Sequence, residues 1–236
     1  MLRKKFTMGD DAKLQKISLG PEWIDLSYGE PNVIMSALFR ELNRVGDPFK
    51  MPTISSLLEW TYQPASGKPD LVSLLEKKHN AKVVIGNGAK HILGAALHAF
   101  KVSGKIDIWY SDPYYPANPS LVASSGLTRS EKPENADCYL ITSPNNPDGI
   151  SLSNEEISSY EKLRPTIHDG AYYTPIYLPN GYEILPHGDI QIFSISKMYG
   201  LSGLRVGYAV CHNDKYYQSM VDYIETTTAG VSAASQ

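Results

Sequence analysis

The chain has 236 residues, 42% hydrophobic and 20% charged, enough to bury a core and too apolar for a wholly disordered segment. Its formal net charge of -3 gives no electrostatic footprint for nucleic acid or an anionic membrane surface. No apolar run approaches the roughly 18 residues of a membrane-spanning helix, and the basic start MLRKKFTMGDDAKLQKISLG lacks the apolar stretch of a secretory signal, so the cytoplasm is the expected location. Cys138 and Cys211 sit in apolar runs without CxxC or Cys/His spacing and read as buried free thiols. Sixteen tyrosines against five phenylalanines is the one unusual count; tyrosine suits polar pockets and interfaces but proves neither.

Residues 1–60 read as an N-terminal arm with one helix near Ile34 to Leu42. From about residue 66, short apolar runs alternate with helical patterns. Pro69 to Lys78 is expected to be a helix, with proline in the tolerated first turn and Leu71, Leu74 and Leu75 on one face. Lys82 to Ile85 is a strand that stops at Gly86-Asn87-Gly88, and Ala89 to Phe100 has helical spacing. Ile106 to Tyr110 and Cys138 to Thr142 are further strands, the latter ended by Ser143-Pro-Asn-Asn-Pro-Asp-Gly149. Ser153 and Glu156 form a capping box opening a helix that ends before Pro165. Thr166 to His168, Ile190 to Ser194 and Val206 to Cys211 complete six strands. The alternation predicts an α/β domain over 61–236, a mostly parallel sheet sandwiched by helices, with ligands at the carboxyl ends of the strands.

Three places there carry chemistry. Gly86-Asn87-Gly88-Ala89, between strand and helix, is either a plain turn or an anion site made of exposed amides. It is not a Walker loop, and His91 stands where the dinucleotide fingerprint needs its third glycine. Asp169, at the mouth of a buried strand, is either a turn cap or a carboxylate awaiting a cation such as a protonated ring nitrogen. Lys197, in Ser194-Ile-Ser-Lys after a strand, can form a Schiff base if desolvated near other cations. Ser194 and Arg205 are suited to phosphate.

The segments SPNNPDG at 143–149, DGAYY at 169–173 and SISKMYGLSGLRVGY at 194–208 together resemble the pyridoxal-phosphate aminotransferases of fold type I. SPNNPDG and the doubled tyrosine lean toward the alliinase and tryptophan-aminotransferase-related branch, and supporting matches reach back to about Tyr28. The resemblance implies that pyridoxal phosphate forms a Schiff base with Lys197, which also shuttles the substrate proton, and that Asp169 pairs with the ring nitrogen. It further implies that Asn146 and Tyr172 bind the ring oxygen and that Tyr115 stacks on the ring. Gly88, Ala89, Lys90, Ser194, Ser196 and Arg205 would surround the phosphate. Tyr62, in TYQPASG, resembles the tyrosine that reaches the phosphate of a neighbouring subunit, which implies a homodimer with shared active sites. Gly29, in SYGEP, and Asn146 would meet the substrate carboxylate.

Two departures stand out. Asp148 replaces the usual threonine, a change that still suits a turn. The sequence also stops at Gln236, where the family continues into a small domain holding the carboxylate-binding arginine. A longer native product is therefore expected, with this chain binding cofactor but handling amino acids poorly. The activity implied is amino-group transfer between an amino acid and a 2-oxo acid. A lyase or cyclase of the same fold and a non-catalytic cofactor-binding module are the alternatives.

Overall fold

In the computed structural model the described residues are 61–173 and 188–236; the expected arm, its helix near Ile34 and Gly29 lie outside them. The elements in chain order are α1 (Pro69–His79), β1 (Lys82–Gly86), α2 (Ala89–Val102), β2 (Asp107–Trp109), α3 (Asn118–Ser124), β3 (Thr128–Arg129) and β4 (Cys138–Thr142). There follow α4 (Asn154–Glu161), β5 (Thr166–Asp169), β6 (Ile190–Ser194), α5 (Ile195–Met198), β7 (Gly207–Cys211) and α6 (Asp214–Thr228).

Among the described residues, seven strands form one sheet in the order β1-β7-β6-β5-β4-β2-β3. The pairs β2–β3, β2–β4, β4–β5 and β5–β6 are parallel, while β7 runs antiparallel to both β1 and β6. The expected mostly parallel α/β sheet is therefore present, with one strand more than the six expected and with Ile106–Tyr110 shortened to Asp107–Trp109. The extra strand, β3, is only two residues long and pairs Thr128 with Asp107 at the sheet's edge. Three further helices, α3, α5 and α6, lie where no element was expected.

Alternation along the strands sends side chains to two faces. On one face Val84, Ile108, Leu140, Ile167, Ile192 and Ala209 meet α2 and α6 through Ile92, Leu97, Phe100, Met220 and Ile224. On the other, Val83, Ile85, Phe193 and Tyr208 pack against Leu71, Val72 and Leu75 of α1, while Tyr139 and Ile141 pack near Tyr160 of α4. Each of these fully buried Ile or Phe side chains contributes about 1.5–3 kcal/mol by leaving water, so helices on both faces are needed to hold the sheet. Both cysteines are buried and free, as expected. Burial pushes each thiol up to about 12, so neither is a nucleophile.

Local signals account for the helix ends. Ser153 Oγ accepts from the Glu156 amide and the Glu156 carboxylate accepts from the Ser153 amide, completing the capping box of α4. Asn213 caps α6 by accepting from the Lys215 amide. No helix among the described residues is long and apolar enough to cross a membrane.

Candidate active site

Register brings three strand ends into one row: Ser194 of β6 lies opposite Gly207 of β7, which lies opposite Gly86 of β1. Next in the sheet, Asp169 of β5 pairs with Thr142 of β4. The segments leaving or entering these ends line a cavity of about 890 Å3. Lys197, Asp169, Asn146, Tyr172, Tyr115, Ala89, Lys90, Ser194, Ser196 and Arg205, all singled out in the sequence, line it.

Glycine is required at two points beside it, Gly207 and the predicted Gly88, neither of which lines the cavity itself. A Cβ on Gly207 would stand 2.5 Å from the Ala89 amide nitrogen, so only glycine lets β7 pass against the start of α2. Gly88 has φ +81°, and a Cβ there would meet Arg205 Nη2 at 2.6 Å. The Arg205 backbone is itself left-handed at φ 54°, and its Nη1 donates to the Ser202 carbonyl at 2.9 Å. A guanidinium is thus fixed against the first turn of a 14-residue helix. The Ala89 and Lys90 amides of that turn have no intrahelical acceptor, and with the hydroxyls of Ser194 and Ser196 they make a donor set for an anion.

The opposite wall is made of side chains. Asn146 Nδ2 donates to Tyr172 Oη at 3.4 Å, so the two groups expected to share one ring oxygen are already neighbours. Lys197 Nζ lies 5.7 Å from the centre of the Tyr172 ring, and Lys90 Nζ 5.9 Å from that of Tyr115. Asp169 is only 6% exposed. Burial pushes its carboxyl up from 3.8 to about 6, opposed by the Ala171 amide donating to Oδ1 at 3.0 Å. No cation pairs with it among the described residues.

The 143–149 turn that carries Asn146 is held from both sides. Asp148 Oδ1 accepts from Asn145 Nδ2 at 2.9 Å and from the Ile150 amide at 3.0 Å, so aspartate closes the turn where threonine is usual. Beneath it, Gln191 Nε2 donates to His168 Nδ1 at 3.2 Å, which leaves the His168 proton on Nε2 to donate to the Ser143 carbonyl at 3.2 Å. Ser143 Oγ accepts from the Leu152 amide.

Sequence reasoning passed over Thr142, Asn145, Ser151 and Ser202, which also line the cavity. Asn145 was within reach, being part of SPNNPDG; Ser202 had only its place between Lys197 and Arg205 as a signal. Tyr62 does not line this chain's cavity and is 90% exposed.

The profile of the family described as Alliinase_C, allinase, matches residues 76–236. The chain belongs to the alliinase family. It is 36% identical over 165 residues to tryptophan aminotransferase-related protein 2 of Arabidopsis thaliana, a match covering 65% of this chain and 36% of that one. Over 97 residues it is 36% identical to an alliin lyase of Allium cepa var. aggregatum, covering 41% of this chain and 20% of the lyase. The matched part thus spans about a third or less of these relatives. Among solved structures, an aspartate aminotransferase from Thermotoga maritima superposes with a TM-score of 0.65 over 90% of this chain and 64% of its own, at 19% identity. A Thermus thermophilus aspartate aminotransferase mutant gives 0.64, covering 89% of this chain and 60% of that one, at 16% identity. At these identities the likeness establishes the fold, the large domain of the aminotransferases.

Alliinases and aminotransferases of this fold depend on pyridoxal phosphate. The cavity fits that cofactor. The glycine-lined helix start with Arg205 offers an anion cradle, buried Asp169 offers a partner for a protonated ring nitrogen, and Lys197 offers the amine.

Proposed function

We propose that this chain is the cofactor-binding part of an aminotransferase acting between an amino acid and a 2-oxo acid. The observation that supports it best is the convergence of Lys197, Asp169, the Asn146–Tyr172 pair and Arg205 on one cavity. Bound pyridoxal phosphate supplies an electron-withdrawing ring that takes up the charge released when a bond to the substrate α-carbon breaks.

The chain's own residues then divide the work. Lys197 Nζ would hold the cofactor covalently and would move a proton to and from the substrate carbon. Asp169, buried and held by Ala171, would be ionised beside a protonated ring nitrogen and would keep it protonated. Asn146 Nδ2 and Tyr172 Oη hold the ring oxygen, and Tyr115 covers the ring face. Ala89, Lys90, Ser194, Ser196 and Arg205 bind the phosphate against the Gly88 turn. Gly29 and Asn146 are assigned to the substrate carboxylate. Residues 61–236 form the large domain, 1–60 its arm, and the two free thiols support a reducing cytoplasm as its compartment. Exposed Tyr62 supports a two-fold dimer in which it serves a neighbouring phosphate.

A second reading, lyase chemistry on the same cofactor, is supported by the similarity to alliin lyase. Incubating cofactor-loaded protein with amino acids, with and without a 2-oxo acid acceptor, separates them. Acceptor-dependent conversion into a new oxo acid supports transfer; ammonia or a cleaved side chain without an acceptor supports the lyase. Light scattering of the same sample tests the dimer, which a strictly monomeric, cofactor-loaded species would refute.

A further inference from the structure

His91 is the third residue of α2, just past the phosphate cradle; it does not line the cavity and has no part in the chemistry above. Both its ring nitrogens are engaged. The Asn87 amide donates to Nδ1 at 3.2 Å, and Nε2 lies 3.1 Å from Thr227 Oγ1 on α6. Thr227 Oγ1 spends its own hydrogen on the Tyr223 carbonyl at 2.7 Å, so it can only accept from His91. The hydrogen bonds therefore select one form of the ring: neutral, with its proton on Nε2 and the Nδ1 lone pair turned to Asn87. Burial favours the same neutral form.

The turn is tight where the ring supports it. The Gly88 amide donates to the Gly86 carbonyl at 2.7 Å, and a Cβ on Gly86 would come 2.6 Å from Ile92 Cδ1, with His91 Nδ1 at 3.4 Å in ordinary contact. The Asn87 amide faces the imidazole, while Ala89 and Lys90 supply the amides at the cavity wall. The ring of Tyr223, 5.8 Å away, flanks the imidazole from α6.

We propose that His91 is a positioning residue for the cofactor phosphate, clamping the Asn87–Gly88 turn through Nδ1 and anchoring it to α6 through Thr227. This rests on the reading of the cavity as a cofactor site. An imidazole in the third-glycine position thus serves a phosphate cradle of a different design: it braces the turn from behind.

Removing the clamp weakens binding only where the ligand carries a phosphate. The test titrates cofactor-free protein with pyridoxal phosphate and, separately, with pyridoxal, following absorbance and intrinsic fluorescence. His91→Leu is expected to weaken pyridoxal phosphate roughly tenfold and leave pyridoxal within about twofold, the scale of one lost hydrogen bond. His91→Asn, whose Oδ1 stands near the Nδ1 position, is expected to recover most of the loss. Thr227→Val, at an exposed position, is expected to cost about two- to threefold, again for the phosphorylated ligand alone. This last variant keeps the test open if His91→Leu does not fold. An unchanged phosphate preference in both His91→Leu and Thr227→Val overturns the role of His91 while leaving the cofactor site standing. So does an equal loss for both ligands, which marks a merely structural role. An unmutated chain that does not prefer pyridoxal phosphate over pyridoxal removes the cofactor-site reading and this proposal with it.

Discussion

The two ends of the cavity are built from different materials. Where the phosphate is proposed to sit, the wall is mostly backbone: the first turn of α2, the Gly88 turn and the close passage of Gly207 against Ala89. Where the ring is proposed to sit, the wall is side chain: Asp169, Asn146, Tyr172 and Lys197, each at or just beyond the carboxyl end of a strand. A backbone wall tolerates many side chains and fails by steric intrusion. A side-chain wall fails by loss of a single functional group. Substitutions at the two ends should therefore have different signatures, in chemistry at one and in binding and stability at the other.

The largest effect is expected at Lys197. Lys197→Ala should lower turnover by about a thousandfold or more, since nucleophile and proton carrier go together. Borohydride reduction of the unmutated protein should place the adduct on the peptide carrying Lys197; a label on another lysine would sink the assignment.

Asp169→Asn comes next. The fold should persist and the cofactor should still bind, but turnover should fall at least ~10- to 100-fold, the worth of a charge-assisted contact of about 1.5–3 kcal/mol. The same residue gives the cofactor-free protein a pH signature. Its folded carboxyl, at about 6, holds a proton that the unfolded chain releases near 3.8. The stabilising protonated form is fully present below about pH 4 and is lost as pH rises to about 6, with stability nearly flat above that. The total is on the order of 3 kcal/mol. Urea denaturation across this range should show the slope in the unmutated chain and lose it in Asp169→Asn; a slope that survives the substitution assigns it to other groups.

Gly207→Ala probes the backbone end. The added methyl must displace the Ala89 amide, at a cost of about 1–3 kcal/mol in stability. Cofactor affinity should fall while the reaction of bound cofactor changes little; a selective loss of turnover would contradict the contrast between the ends. Smallest is Asn146→Ala. Its 3.4 Å contact to Tyr172 is long, and about 0.5–1.5 kcal/mol, or ~2- to 10-fold in kcat/KM, is expected from its contacts together.

The same contrast governs how much could be read without coordinates. The side-chain wall was legible because Asp169 and Lys197 stand in distinctive local sequences, the one ending a strand and the other three residues past one. The backbone wall was ambiguous: Gly86-Asn87-Gly88 reads equally as a turn, and Gly207 owes its importance to a segment far away in sequence. In the fold, α1, α2 and α4 declared themselves through leucine spacing, apolar periodicity and a capping box. Helix α6 did not, because only Tyr216, Met220 and Ile224 are buried along it and it ends in Thr226-Thr-Thr228. Helix α3 is only 7 residues long and has Pro119 in its first turn, where proline is tolerated, so no periodicity marked it. Asp148 was read correctly as a turn residue, with its two hydrogen bonds supplying the reason. His91 was noticed only as a flaw in another motif, since its partner Thr227 lies on the helix that went unrecognised.

The reversed strand β7 also sets the order in which the molecule can assemble. Strand β1 is made early, yet its ladder partner is β7, and Lys82 cannot pair until Cys211 has been synthesised. The parallel strands β2 to β6 can associate meanwhile, but β1 and the turn it feeds gain their place only when β7 slots between β1 and β6. That closure spans most of the described chain and bears the loop entropy of a long-range contact. The anion cradle should therefore be the last part of the cavity to form and the first to open, making cofactor capture a late event in folding and bound cofactor a staple across the sheet's most distant seam.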